Sequence, residues 1–170
     1  MREGSIGTDE GIQEVLDQHS LMVYRLAYAQ TGTRHDADDI YQEVFLRLVK
    51  ANPVFESGEH AKAWLIRVTM NCCSSFRLSA WRRRIVPYEE QAGYAAQTFT
   101  EEEFGDLHHA LGKMPLKSRT ILHLFYYEGM SAQEIGWVLR IPASSVRVQL
   151  SRTRMKLKAL LECKEVQASV

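Results

Sequence analysis

The sequence predicts an all-α protein of two small helical domains joined by a flexible linker, the second domain containing a helix-turn-helix. Apolar residues recur at the three- and four-residue spacing of amphipathic helices nearly throughout, and no segment shows convincing strand alternation. That rhythm is lost between about residues 84 and 103. The 170 residues suffice for one ordinary domain or two small ones.

The first domain, predicted over residues 9–84, begins with a long amphipathic helix that ends at Gly32. Its apolar stripe consists of Ile12, Val15, Leu16, His19, Val23, Leu26 and Ala27. A second helix follows, with Asp36 as its predicted N-cap because Asp side chains accept from the free N–H groups of a first turn. Pro53 stops this helix. Its apolar residues are Ile40, Val44, Phe45 and Leu48.

A third helix is predicted from about His60 to Trp81. Its apolar face consists of Ala61, Trp64, Leu65, Val68, Cys72 and Phe76. The position of Trp64 on this face favours core packing for its side chain. Residues 85–103 are predicted to be the linker, because Pro87, Gly93 and a cluster of acids interrupt the helical pattern there.

The second domain is predicted over residues 104–163. A short apolar stripe begins at Phe104 and ends at Pro115, and a further helix spans about Arg119 to Tyr127. Ser131 and Glu134 have the spacing of a capping box, which opens the next helix. A turn at residues 140–143 leads to a last helix, and two helices joined this closely predict a helix-turn-helix. The apolar residues of the last helix are Val146, Leu150, Met155, Leu157 and Leu160.

The formal net charge is zero, but acids and bases occupy alternating blocks. Residues 9–59 carry a net charge of −6, residues 60–84 of +6, residues 89–106 of −6 and residues 113–158 of +7. Each basic block could face phosphates, and each acidic block could face a basic protein or screen a basic block of the same chain.

The last helix is a candidate surface for duplex DNA. The N-terminal part of the second helix of a helix-turn-helix enters the major groove, where arginine can pair with guanine and later basic residues contact phosphates. No acid lies between Ser144 and Leu161, although a solvated basic face is the alternative interpretation. The candidate residues are Ser144, Ser145, Arg147, Arg152, Arg154 and Lys156, and Lys158 is a further basic residue of the same helix.

The polar face of the third helix is a candidate surface for single-stranded DNA. It combines positive charge with polar groups, and an aromatic side chain follows, which together are typical of single-strand binding. A basic helix without a ligand is the alternative. The candidate residues are Arg67, Asn71, Ser74, Arg77, Trp81, Arg82 and Arg83.

A third candidate surface lies on the second helix. Asp39, Gln42 and Glu43 are spaced i, i+3 and i+4, so they share one face that could bind a basic protein. The alternative is that acids in the first turn merely complement the helix dipole.

Nothing in the sequence indicates an enzyme. The adjacent pairs His108-His109 and Cys72-Cys73 point in different directions on a helix, so neither predicts a metal site. No glycine-rich phosphate loop or nucleophile elbow is present. We therefore expect no catalytic residue, no metal, no cofactor and no small-molecule substrate. The odd cysteine count, completed by Cys163, favours reduced thiols, and a redox role stays open.

The sequence also contains no apolar run long enough to span a bilayer and no apolar signal core near Met1. A cytoplasmic location without direct membrane insertion is the expectation.

Taken in order, four motifs resemble the bacterial RNA polymerase sigma factors of the extracytoplasmic-function (ECF) class over residues 11–161. These are the acidic helix at residues 36–43, the Trp64-Leu65-x-Arg67-Val68-x-x-Asn71 helix, the segment from Met114 to Ser131, and the C-terminal helix at residues 146–157. The sequence departs from the common pattern at Pro142, at Ser144-Ser145, where many members have Gly-Thr, and at residues 72–76.

The resemblance implies a role for each candidate surface. The residues that would bind the core polymerase are Asp38, Asp39, Gln42 and Glu43. Arg67 and Asn71, with the turn near Trp81, would contact the melted −10 promoter element. The last helix, with Ser151 added to its candidates, would contact the −35 element as a duplex. The resemblance further implies an anti-sigma factor as partner. A helix-turn-helix regulator that is not a polymerase subunit would explain residues 104–161 equally well, but it leaves the acidic helix and residues 64–84 without a purpose.

Overall fold

The computed structural model describes the backbone of residues 9–83 and 110–168, with side chains described for residues 11–79 and 110–163. The described backbone is helical with no strand, as predicted. The chain divides into two compact units, residues 1–89 and 90–170. The predicted linker at residues 85–103 and residues 104–109 of the predicted apolar stripe lie outside the described residues, so the domain boundaries at residues 84, 103 and 163 stay predictions.

In the described residues of the first unit, three helices pack against one another: α1 (Asp9–Thr31), α2 (Arg34–Ala51) and α3 (Gly58–Arg83). Their contact is a close-packed aliphatic core. The residues with no exposed surface include Val23, Leu26, Val44, Leu48, Leu65 and Ile66. Each such side chain contributes about 1.5–3 kcal/mol on burial. Trp64 is half-buried and packs edge-on against Phe55, with ring centroids 5.8 Å apart, which confirms its predicted packing role.

The start of α2 differs from the prediction, since Thr33 and not Asp36 is the N-cap. Thr33 has an extended backbone, and its hydroxyl accepts a hydrogen bond of 3.2 Å from the Asp36 N–H. Asp36 therefore lies in the first turn, where its carboxylate interacts favourably with the helix dipole. At the other end Asn52 adopts the left-handed conformation and donates to the Leu48 carbonyl at 2.9 Å, directly before Pro53.

In the described part of the second unit, residues 110–112 are helical, and three helices follow: α4 (Leu116–Tyr126), α5 (Ala132–Leu139) and α6 (Ala143–Ala168). Helix α4 begins three residues earlier than predicted, because Pro115 is its N-cap. The almost completely buried residues of this unit include Ile121, Leu124, Ile135, Val138, Val146 and Leu150.

The prediction that Met155 packs in the core is wrong. Met155 is 71% exposed, whereas Thr153 is 4% exposed. The buried face of α6 follows Val146, Leu150 and Thr153 at four- and three-residue spacing, and Met155 lies on the opposite side of a helix with 3.6 residues per turn.

Helices α5 and α6 form the predicted helix-turn-helix. The Ser131 N–H donates to Glu134 Oε2 at 2.6 Å, and the Glu134 N–H donates to Ser131 Oγ at 3.2 Å, which confirms the capping box. The turn passes directly over Gly136: a Cβ added there would lie 2.6 Å from the Ile141 carbonyl oxygen. Arg140 takes the left-handed conformation that reverses the chain, with φ 56°.

Over the part of the chain that the structure describes, every helix is too short or too polar to cross a membrane.

Candidate functional site

The exposed face of α6 brings together most of the residues predicted to contact duplex DNA. The side chains exposed there include Ser144, Arg147, Ser151, Arg152 and Lys156, and Ser145 is half-buried. The opposite face packs on α4 and α5, which fixes the direction in which this surface points. The sequence prediction missed Val148, which is 47% exposed on the same surface. Its spacing of four from Ser144 was the signal that could have indicated it.

Arg154 differs from the other basic residues of α6 because it also contacts α4. Its Nε–H donates to the Tyr126 hydroxyl at 2.7 Å, and its guanidinium carbon lies 5.2 Å from the Phe125 ring centroid and 5.5 Å from that of Tyr126. These are hydrogen-bond and cation–π distances. Arg154 therefore connects the last helix to its supporting helix, whatever else it contacts.

The polar face of α3 presents some of the residues predicted for single-stranded DNA. Asn71 and Arg77 are exposed. Ser74 is exposed as well, although its hydroxyl donates to the Met70 carbonyl at 2.9 Å within the helix. Arg67 is half-buried, and its Nε–H donates to the Ala63 carbonyl at 3.3 Å. The side chains of Trp81, Arg82 and Arg83 lie outside the described residues, so their predicted roles are not tested.

The acidic face of α2 is exposed at all four predicted positions, Asp38, Asp39, Gln42 and Glu43. Glu43 accepts from Arg47 Nε at 2.7 Å, and this hydrogen bond is the main cause of a raised pKa of Arg47. Asp39 lies 3.7 Å from His35 Nε2.

Two apolar side chains extend this acidic face. Leu46 is 52% exposed and Val49 is 54% exposed, at four and seven residues after Gln42. Residues at this spacing lie on one side of a helix. The sequence prediction missed both, although they are the apolar positions of α2 that the core stripe leaves out. The face is thus acidic at one end and apolar at the other.

The cysteines do not form a reactive or metal-binding group in the described part of the chain. Cys72 and Cys73 are buried and Cys163 is exposed, and all three are free thiols. Burial raises the pKa of Cys72, and it raises the pKa of Cys73 to about 12. Among the described residues, no three His, Cys, Asp or Glu side chains lie close enough together to hold a metal ion.

Comparison with known proteins matches both units to families. Residues 15–83 match Sigma-70 region 2, and residues 104–157 match Sigma-70 region 4. The ECF RNA polymerase sigma factor EcfG of Rhodopseudomonas palustris is 30% identical over 142 residues, covering 79% of this chain and 76% of that protein. SigW of Bacillus subtilis is 26% identical over 91% of both chains. SigE of Mycolicibacterium smegmatis is 32% identical over 87% of this chain, which spans only 60% of that relative.

Solved structures share the fold. The sigma factor RpoE of Bartonella quintana, in complex with the anti-sigma factor NepR, aligns with a TM-score of 0.74 and 21% identity over 88% of this chain and 96% of that chain. CnrH, in complex with the cytosolic domain of CnrY, aligns with a TM-score of 0.66 and 23% identity over 92% and 91% of the two chains. Two sigma regions matched in the order that the motifs predicted confirm the resemblance, and the chain belongs to the ECF RNA polymerase sigma factors, the subunits that direct transcription initiation.

Proposed function

We propose that this sigma factor divides promoter recognition between its two units, the second reading the −35 element as duplex and the first holding the melted −10 element. The observation that carries the proposal is the exposed basic face of α6, which is the second helix of the helix-turn-helix. Residues near Ala143, where α6 starts, would reach base edges, and later ones would neutralise phosphates. The proposed duplex contacts are Ser144, Ser145, Arg147, Ser151, Arg152, Arg154 and Lys156.

The polar face of α3 would hold the unpaired strand. The exposure of Asn71, Ser74 and Arg77 supports this role, and we add Arg67 and the residues Trp81, Arg82 and Arg83 from the sequence pattern. Flipping a base out of the duplex costs a few kcal/mol, and stacking on an aromatic side chain returns about 1–3 kcal/mol per base. Neither surface alone would then bind a promoter tightly, so both units are needed.

The acidic and apolar face of α2 would bind the core polymerase. Exposed Leu46 and Val49 beside the acidic residues support a protein partner over a nucleic acid, because phosphates repel carboxylates and offer no apolar surface. Core polymerase would then hold both units near the promoter at once. Once one unit has bound its promoter element, the effective concentration of the other unit at its own element is raised.

An anti-sigma factor is the further partner that we propose. RpoE and CnrH were solved bound to NepR and CnrY, respectively, and this chain shares their fold. Such a partner would cover the surfaces that polymerase and promoter need. We place the protein in the cytoplasm, where the polymerase works, and assign it no catalytic activity, metal, cofactor or small-molecule substrate.

Run-off transcription with purified core polymerase tests the proposal, on a promoter found by mapping transcript starts after overexpression. We expect Arg152→Ala to reduce promoter binding at the upstream element about tenfold or more, because a hydrogen bond to a charged phosphate is worth about 1.5–3 kcal/mol. Core association should stay intact. Lys158→Ala is the matched control, since it removes one exposed positive charge from the same helix, where Lys158 lies 3.6 Å from Glu162.

Two results would contradict the assignment. If Arg152→Ala abolished binding to core polymerase, α6 would not be the duplex surface. If the wild-type protein bound DNA but gave no promoter-specific transcript with core polymerase, the alternative of a helix-turn-helix regulator would hold instead.

A further inference from the structure

An apolar side chain lies in the middle of the basic face of α6. Val148 is 47% exposed, whereas Val146, two positions before it, is 0% exposed and Leu150, two positions after it, is 4% exposed. The exposed positions around it are Ser144, Arg147, Ser151 and Arg152. At 3.6 residues per turn Val148 lies beside Ser144, Ser151 and Arg152, which are three or four positions away, and Arg147 lies at the edge of the same exposed face.

The position of Val148 along the helix limits what it can meet. Helix α6 begins at Ala143, and at 1.5 Å per residue Val148 lies about 6 Å beyond Ser144, within the first two turns. In a helix-turn-helix this part of the second helix faces base edges rather than phosphates. The charge of α6 is compatible with DNA along this face, since no acidic residue from Ser144 to Leu161 would repel the phosphates.

We propose that Val148 is a specificity-determining residue that packs against the C5 methyl group of one thymine in the −35 element. The thymine methyl is the apolar group that base pairs present in the major groove, where the other groups are hydrogen-bond donors and acceptors. The side chain of an exposed valine cannot form hydrogen bonds with those groups, but it can pack against the thymine methyl and shield it from water. The inference rests on the proposed reading of the −35 duplex by α6 and adds the base that one position selects.

Met155 provides the comparison on the same exposed face. It is 71% exposed, more than Val148, but it lies seven residues further along, about 10 Å towards the C-terminal end of α6. If exposure alone made an apolar residue a base contact, Met155 would be the stronger candidate. Placement near the start of the helix favours Val148.

The test uses the complete protein in holoenzyme with core polymerase. A library of promoter duplexes randomised over the upstream element is first selected for binding. In the selected sequence each thymine is then replaced in turn by deoxyuridine, which deletes only the methyl group, and affinity is measured for the wild type, Val148→Ala and Met155→Ala. Alanine is the best helix former, so neither substitution in an exposed helical position should unfold the unit.

We expect the wild type to bind about three- to fivefold more weakly when one particular thymine becomes deoxyuridine, as expected for one methyl group taken from water. Val148→Ala should bind the thymine and deoxyuridine duplexes equally, and Met155→Ala should keep the wild-type difference. The inference is overturned if Val148→Ala keeps that difference, if the wild type shows it at no thymine, or if Val148→Ala fails to assemble with core polymerase. A wild type that selects no upstream element would instead reject the proposed function itself.

Discussion

The thiol of Cys73 lies in the core of the first unit, where only 2% of the residue is exposed, and burial raises its pKa to about 12. Cys72 is buried next to it, and burial raises its pKa as well, although Arg47 partly opposes the shift. The thiolate is the nucleophilic form of cysteine. Both thiols are therefore protonated at neutral pH, which counts against a redox role for this pair.

The raised pKa of Cys73 predicts a pH dependence of stability. The folded state favours the neutral thiol, so this stabilisation is fully present below the ordinary pKa of 9.0 and is lost as pH rises towards 12. Between pH 8 and 10 the free energy of unfolding of the wild type should fall by about 1.4 kcal/mol more than that of Cys73→Ala. Denaturant unfolding at both pH values measures the difference.

Cys163→Ala is the control for this measurement, because Cys163 is exposed. It should lose stability with pH as the wild type does. A difference between wild type and Cys73→Ala that did not change with pH would show that the thiol ionises equally well in the folded protein.

At the scale of single elements, the bond between Arg154 and Tyr126 joins the reading helix α6 to α4. The Nε–H of the guanidinium donates to Tyr126, and four of the five N–H groups of an arginine are left for other acceptors. Arg154 can thus support α6 and contact a phosphate at once. These two roles have different signatures in salt, because only a phosphate contact releases counterions.

We expect Tyr126→Phe to weaken promoter binding without changing the slope of log affinity against log salt concentration. Arg154→Ala should weaken binding and also reduce the magnitude of that slope by about 0.9. Binding titrations of the holoenzyme at several salt concentrations measure both. An unchanged slope for Arg154→Ala would limit the residue to support of the helix.

Local patterns predicted most of these elements, and the errors have identifiable causes. The Ser131–Glu134 capping box was predictable because both of its hydrogen bonds lie within four residues. The N-cap of α2 was not, because Thr33 and Asp36 are both capping residues and the loop backbone selects between them. The Tyr126–Arg154 bond joins residues 28 apart, so no local pattern indicates it.

At the scale of the whole molecule, the zero net charge conceals surfaces of opposite character. The acidic face of α2 belongs to the first unit and the basic face of α6 to the second. The order of the two sigma regions was predictable from motif order alone. Which side chains of each helix reach the surface depended on packing, and this is why Leu46, Val49 and Val148 were missed.

Because the α2 face is exposed, substitutions on it should weaken binding to core polymerase without unfolding the first unit. Gln42→Ala and Leu46→Ala should each weaken binding to core polymerase, by about fivefold to thirtyfold for a loss of about 1–2 kcal/mol at an interface. Thermal unfolding should be nearly unchanged, because both side chains are exposed. A quantitative pull-down with core polymerase measures the affinity.

Gln13→Ala is the matched control, since Gln13 is an exposed glutamine on α1 whose side chain donates to Asp17 at the surface. It should bind core polymerase as the wild type does. Equal affinity for Gln42→Ala and Gln13→Ala would exclude the α2 face from the interface.

The turn over Gly136 restricts how such a protein can diverge. Any side chain larger than hydrogen at position 136 would meet the Ile141 carbonyl oxygen. Mutations therefore cannot gradually change the spacing between α5 and α6, whereas the exposed positions of α6 can change one at a time. A duplicated copy of this gene could acquire a new promoter preference while the frame that presents it to DNA stays the same.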